Sequence, residues 1–134
     1  RIDEPAICLV CGTIVRAGNR SKEIDSRTDM ESHLKAYPGE CTLHARQCGG
    51  GIGVFMTILY NWVLILNGPR ACKYPALYLD KNGEAGEGRG PNRPLQLSKE
   101  RYKRLEDLYL NHQIASEISR KRLNQDRHIT LNYY

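Results

Sequence analysis

Four of the five cysteines and one histidine fall in two short clusters, and their spacing limits this chain more than any other feature. Cys8-Leu9-Val10-Cys11 is a C-x2-C pair, and Cys41-Thr42-Leu43-His44-Ala45-Arg46-Gln47-Cys48 joins a C-x2-H to an H-x3-C spacing. Zinc takes four thiolate or imidazole ligands at tetrahedral corners, and two sequence-local pairs supply them at little cost in loop closure. Gly12 follows Cys11 and Gly49 follows Cys48. Glycine after the second ligand of a pair permits a tight turn with its N–H groups toward sulfur. An odd cysteine count does not close a disulfide framework. The spacing therefore predicts one structural zinc in a reducing compartment.

The expected ligands are Cys8, Cys11, His44 and Cys48. Cys41 is an alternative to either His44 or Cys48; otherwise it reads as a core thiol or one beside the metal shell. Cys72 stands alone and reads as a partly buried thiol, and His33, His112 and His128 lack ligand-spaced neighbours. A thioredoxin-type redox pair would place Cys8 and Cys11 at a helix start in a βαβ context, which Pro5-Ala6-Ile7 does not resemble. A Cys48–His44 nucleophile and base would need an activating partner and an oxyanion motif, and zinc explains the same residues with fewer assumptions.

The 134 residues, 40% hydrophobic and 26% charged, fit one domain over 1–123 with a flexible or partner-docked tail over 124–134. The longest apolar run, 51–66, is broken by Thr57, Tyr60 and Asn61 and falls short of the ~20 residues of a membrane helix, so no membrane partner is expected. Arg1 in first place, with no apolar signal segment, reads as a piece cut from a longer protein. The net charge of +5 mainly favours solubility. Arg120, Lys121, Arg122 and Arg127 make a basic end, but Glu106, Asp107 and Glu117 interrupt any long basic face, so nucleic acid is not the expected partner.

The fold class expected is α+β, a small zinc-stabilised domain with a β-hairpin or short antiparallel sheet and a C-terminal helix. Thr13–Val15 reads as a short strand, and 19–38 as a long polar loop with a helical turn near Met30–Lys35. Val54–Leu59 and Trp62–Leu66 form the hairpin, with Tyr60-Asn61 as its turn and Asn67-Gly68-Pro69 as its end. Ala76–Asp80 reads as a third strand. The glycine-rich stretch from Lys81 to Pro94 is a surface loop; it lacks a phosphate-loop order, and Glu84 and Glu87 would repel phosphate. Ser98 caps the C-terminal helix, Leu97 can staple onto Tyr102, and Asn111-His112-Gln113 is a point of interruption.

Cys8-x-x-Cys11-Gly12, then Gly39-x-Cys41-Thr42-x-His44-Ala45-x-x-Cys48-Gly49-x-Gly51-x-Gly53-Val54-Phe55, resembles the C-terminal zinc-containing domain of the UBR-box N-recognins. These are RING-type E3 ubiquitin ligases of the N-degron (N-end rule) pathway. Tyr78-Leu79-Asp80-x-x-Gly83-Glu84, the Arg89-Gly90 and Pro94-Leu95 pieces, and Lys99-Glu100-Arg101-Tyr102 before Leu105 match as well. The resemblance runs from Pro5 to about residue 120 and looks like that of a fungal member. It departs in having no cysteine over 19–38, where several members carry a Cys-Cys pair, and in an insertion within Arg89–Pro94.

The resemblance implies a parent ligase that binds destabilising N-terminal residues and ubiquitinates them with an E2, in the cytoplasm and also the nucleus. A cross-braced RING needs four ligands for each of two zincs, more than the five spaced candidates here. The chain itself then reads as a non-catalytic structural or regulatory cap, with no catalytic residue carried over and no substrate-binding residue assigned. Its implied partners are other domains of the same ligase, with an E2 or adaptor as further candidates. The alternative is an independent zinc-stabilised module that recruits an E2, adaptor or substrate, signalled by an exposed apolar patch on the Tyr102–Ile118 helix.

Overall fold

Val63, Leu64, Ile65 and Leu66 are all buried, which a strand achieves only when both faces of its sheet are covered. The computed structural model describes residues 4–17, 39–84 and 94–125. The expected 19–38 loop with its helical turn, the centre of the Lys81–Pro94 loop, His33, His128 and residues 126–134 lie outside the described residues. The elements are β1 (Pro5–Cys8), β2 (Ile14–Arg16), α1 (Glu40–Gly49), β3 (Ile52–Thr57), β4 (Val63–Asn67), β5 (Arg70–Tyr74), β6 (Tyr78–Leu79), β7 (Gln96–Leu97), α2 (Lys99–Leu110) and α3 (Ile114–Gln125). Five strands form an antiparallel sheet in the order β2-β1-β3-β4-β5, and β6 pairs with β7 separately. The α+β expectation holds.

Strand alternation divides the core into two layers. On one face Ala6, Cys8, Phe55, Leu64, Leu66 and Ala71 pack with Cys41 and Ala45 of α1. On the other, Val54, Val63, Ile65, Cys72 and Tyr74 pack with Leu105 of α2 and Ile114 and Ile118 of α3. Cross-strand register follows the same division: Phe55 stands opposite Leu64, and Val54 opposite Ile65.

Several elements differ from the sequence expectation. The second ligand cluster is a helix, α1, whose buried side chains are Cys41, Thr42 and Ala45. Gly49 lies inside that helix; the left-handed turn falls at Gly50 and Gly51, with φ of 65° and 100°. Asn67-Gly68-Pro69 does not end the sheet: Gly68 has φ 61° and turns the chain into β5. The third strand shrinks to β6, Tyr78–Leu79. The C-terminal helix is capped by Ser98, whose hydroxyl accepts from the Arg101 N–H at 3.3 Å, and it breaks at 111–113, with His112 at φ 58°. Its second half continues as α3 to Gln125.

Helix α1 lies unusually close to the sheet. A Cβ added at Gly53 would stand 2.6 Å from Phe55 Cε1 and 2.9 Å from Ala45 Cβ. Phe55 is fully buried and cannot swing away. Gly53→Ala should therefore destabilise the domain by about 1–3 kcal/mol through overpacking, read as a lower urea midpoint; an unchanged midpoint would contradict this packing.

Glu4 is the one buried side chain among the described residues with an oxygen, Oε2, that has no hydrogen-bond partner. It lines a cleft of about 370 Å³ with Pro5, Ile14, Val15, Arg16 and Glu40. Burial raises its pKa, against the opposing pull of a Trp62 hydrogen bond and the Lys73 charge. A carboxyl whose pKa is raised by folding favours the native state when protonated and opposes it when ionised. Glu4→Gln should raise the melting temperature at about pH 8 and leave it unchanged near pH ~4, where the carboxyl is protonated folded or unfolded. An equal effect at both pH values would show that the carboxylate charge is not the cause.

Candidate metal centre

Helical spacing places Cys41, His44, Ala45 and Cys48 along one stripe of α1, at i, i+3, i+4 and i+7. The stripe faces the sheet, so its two ends meet different neighbours. Cys41, at the N-terminal end, is fully buried, and its thiol donates to the Arg16 carbonyl at 3.6 Å. Burial pushes that thiol up to about 12, with the Glu40 charge adding to the effect. It stays protonated and lies outside the ligand cluster.

The C-terminal end of the stripe meets the turn after β1. Cys8 closes that strand and is buried; the Cys8 N–H donates to Thr13 O and the Gly12 N–H to Cys8 O, both at 2.8 Å. Gly12, with φ 84°, allows this turn. Its N–H goes to the Cys8 carbonyl rather than to sulfur, because the closed turn brings the better acceptor within reach. The turn carries Cys11 to the surface, where its Sγ lies 3.2 Å from His44 Nε2. The His44 ring stands edge-on to Phe55, with centroids 6.0 Å apart.

Cys8, Cys11, His44 and Cys48 thus converge, with one ligand atom from each lying within 4.8 Å of the others. This group could hold a metal ion. Bonds of ~2.3 Å to sulfur at tetrahedral corners put neighbouring sulfurs about 3.8 Å apart, so a small closure of the side chains suffices. Three thiols and an imidazole are compatible with zinc, and four protein ligands would leave no coordination position for water or substrate.

The sulfurs are electrostatically unequal. Hydrogen bonds from the Thr13 hydroxyl and backbone hold Cys11 down at about 6, with smaller help from His44 and Cys48. Desolvation and the adjacent Cys11 sulfur push Cys48 up to about 11. Thr13, 3.2 Å from Cys11 Sγ, is the supporting residue that sequence reasoning missed; its only signal was its place two residues after a ligand-type cysteine. Cys72 is buried on the opposite face of the sheet, and His112 is an exposed residue of the α2–α3 turn.

A family model described as Proteolysis_6 C-terminal matches residues 1–111. The chain belongs to that family. Relatives of this Proteolysis_6 C-terminal domain include the human E3 ubiquitin-protein ligase UBR2, 36% identical over 115 residues that make up 85% of this chain and 6% of that protein. The mouse E3 ubiquitin-protein ligase UBR1 is 37% identical over 118 residues, 87% of this chain and 6% of the relative. The Drosophila melanogaster E3 ubiquitin-protein ligase Ubr3 is 36% identical over 113 residues, 84% of this chain and 5% of the relative. The chain therefore spans only about one-twentieth of the length of these relatives. The resemblance read from the Cys/His pattern holds at the level of the family; the fungal likeness has no counterpart among these three animal proteins.

For a metal at this centre, elemental analysis should find one ion per chain in the wild type and in Cys41→Ser, and none in Cys11→Ser or Cys48→Ser. Loss of the ion in Cys41→Ser would contradict the division between the two ends of the α1 stripe.

Proposed function

We propose that this domain is a non-catalytic, zinc-stapled cap of an E3 ubiquitin-protein ligase of the N-degron pathway. Cys8, Cys11, His44 and Cys48 would hold one zinc, joining the β1–β2 turn to α1. The observation that carries the reading is this closed four-ligand set in a family member whose relatives are named E3 ubiquitin-protein ligases.

The role of the ion follows from what α1 lacks. Its buried side chains, Cys41, Thr42 and Ala45, are all small. Each buried methylene contributes only about 0.8 kcal/mol, whereas a structural zinc contributes about 10 kcal/mol or more at neutral pH. Zinc would therefore set where α1 sits on the sheet, and with it the spacing between the two halves of the loop from Gly12 to Leu43. The chain's own residues bind and orient: Thr13 favours the Cys11 thiolate, Phe55 backs the His44 ring, and Gly53 admits the helix.

Two other readings have less support. The Tyr102–Ile118 stretch does not present a continuous apolar patch, since Leu105, Ile114 and Ile118 face the core while Tyr102 and Leu110 stay exposed. Of the basic end, Arg120 and Lys121 pair with Glu117, and Arg122 donates to the Ala71 carbonyl at 3.1 Å. These contacts anchor α3 to its own sheet and leave little free charge for a nucleic acid.

The test is ubiquitin transfer. The isolated chain, loaded with zinc, should not discharge ubiquitin from a charged E2, whereas the full-length protein should modify a substrate with an N-terminal arginine. Discharge by the isolated chain would overturn the non-catalytic reading. A full-length protein inactive toward every destabilising N-terminus would overturn the pathway.

A further inference from the structure

The turn between β3 and β4 carries three consecutive apolar residues in solvent. Ile58, Leu59 and Tyr60 are 48%, 61% and 41% exposed, although the strands on either side are core. Exposed runs of this kind are selected against in a domain that works alone, because they promote association.

The turn is also firmly held. Thr57 N–H donates to Trp62 O at 2.9 Å, and Trp62 N–H returns to Thr57 Oγ1 at 3.1 Å. Ile58 N–H donates to Pro5 O at 2.9 Å, tying the turn to β1. Asn61 adopts φ 57°, and its Nδ2 donates to Tyr78 O at 2.7 Å. Left-handed backbone is uncommon outside glycine, and Asn tolerates it best. The cost is met here by a side-chain bond that leads into the second sheet. Tyr78 in turn pairs with Leu97, which is 39% exposed, next to Leu95 at 36%. The apolar tip is therefore a fixed knob, and β7 extends the apolar surface beside it.

We infer that Ile58-Leu59-Tyr60 is a docking knob for an apolar groove on another part of the same polypeptide. This rests on the cap reading above. The choice of occupant follows from length: the domain is about one-twentieth of its relatives, so a protein of that plan carries nearly all of its surface outside these residues. A preformed knob loses little conformational entropy when it docks, which suits a contact between domains of one chain.

The experiment places a photo-crosslinking phenylalanine derivative at position 59 of the full-length protein and maps the products by mass spectrometry. The expected product joins position 59 to a segment of the same polypeptide outside the 134 residues, and its yield falls at least five-fold when Ile58→Asp and Tyr60→Asp are added. Products only between two copies, only with a separate protein, or none at all would overturn the inference. In the isolated chain, Leu59→Asp should leave the melting temperature and metal content unchanged; unfolding would show the tip to be part of the core and would also overturn it. The ubiquitin-transfer assay separates the two failures: an active ligase without the crosslink removes the knob and keeps the cap reading, whereas an inactive one removes the cap reading itself.

Discussion

Helix α1 has to be held against a five-stranded sheet with almost no apolar side chain of its own to do it. Its stripe is Cys41, His44, Ala45 and Cys48, and its buried volume is that of small residues. Small residues allow close approach, as Gly53 and Ala45 show, but they give little hydrophobic driving force. The opposite layer is built differently: Leu105, Ile114 and Ile118 bury large side chains against Val63, Ile65 and Tyr74. One face of the sheet is covered by packing. The other carries a ligand cluster where the apolar anchor would be, and the proposed zinc supplies the missing energy there.

This division also explains how one stripe of cysteines serves two roles. At the N-terminal end, Cys41 is desolvated, protonated and bonded to a carbonyl, so it behaves as a core residue. Two turns later, Cys48 reaches the β1–β2 turn, where Thr13 already favours a thiolate at Cys11. A metal that requires deprotonated sulfur finds it only at that end. The geometry thus distinguishes chemically identical side chains by what surrounds them.

Much of this was legible in the sequence. The C-x2-C and H-x3-C spacings pointed to the four residues that converge, and the apolar run after Gly53 showed the β3–β4 hairpin. Ser98 and the 111–113 break marked the ends of α2 correctly. Helix α1 was not legible as a helix, because its inward stripe is cysteine, histidine and alanine rather than leucine or isoleucine, and such residues read as ligands before they read as periodicity. Strand β5 was hidden because Arg70-Ala71-Cys72-Lys73-Tyr74 mixes charge with burial, and because Asn67-Gly68-Pro69 looks like a stop although Gly68 makes it a hairpin turn. The competition of Cys41 with His44 and Cys48 was beyond sequence spacing alone, since only the depth of each sulfur separates them.

The most direct test of the account is a chelator titration of the folded domain, followed at once by released zinc and by near-ultraviolet circular dichroism. The account predicts one zinc released per chain, with loss of the tertiary signal in the same transition and recovery when zinc is restored. Complete release of zinc with an unchanged tertiary signal would contradict it, because α1 would then be held on the sheet by packing alone.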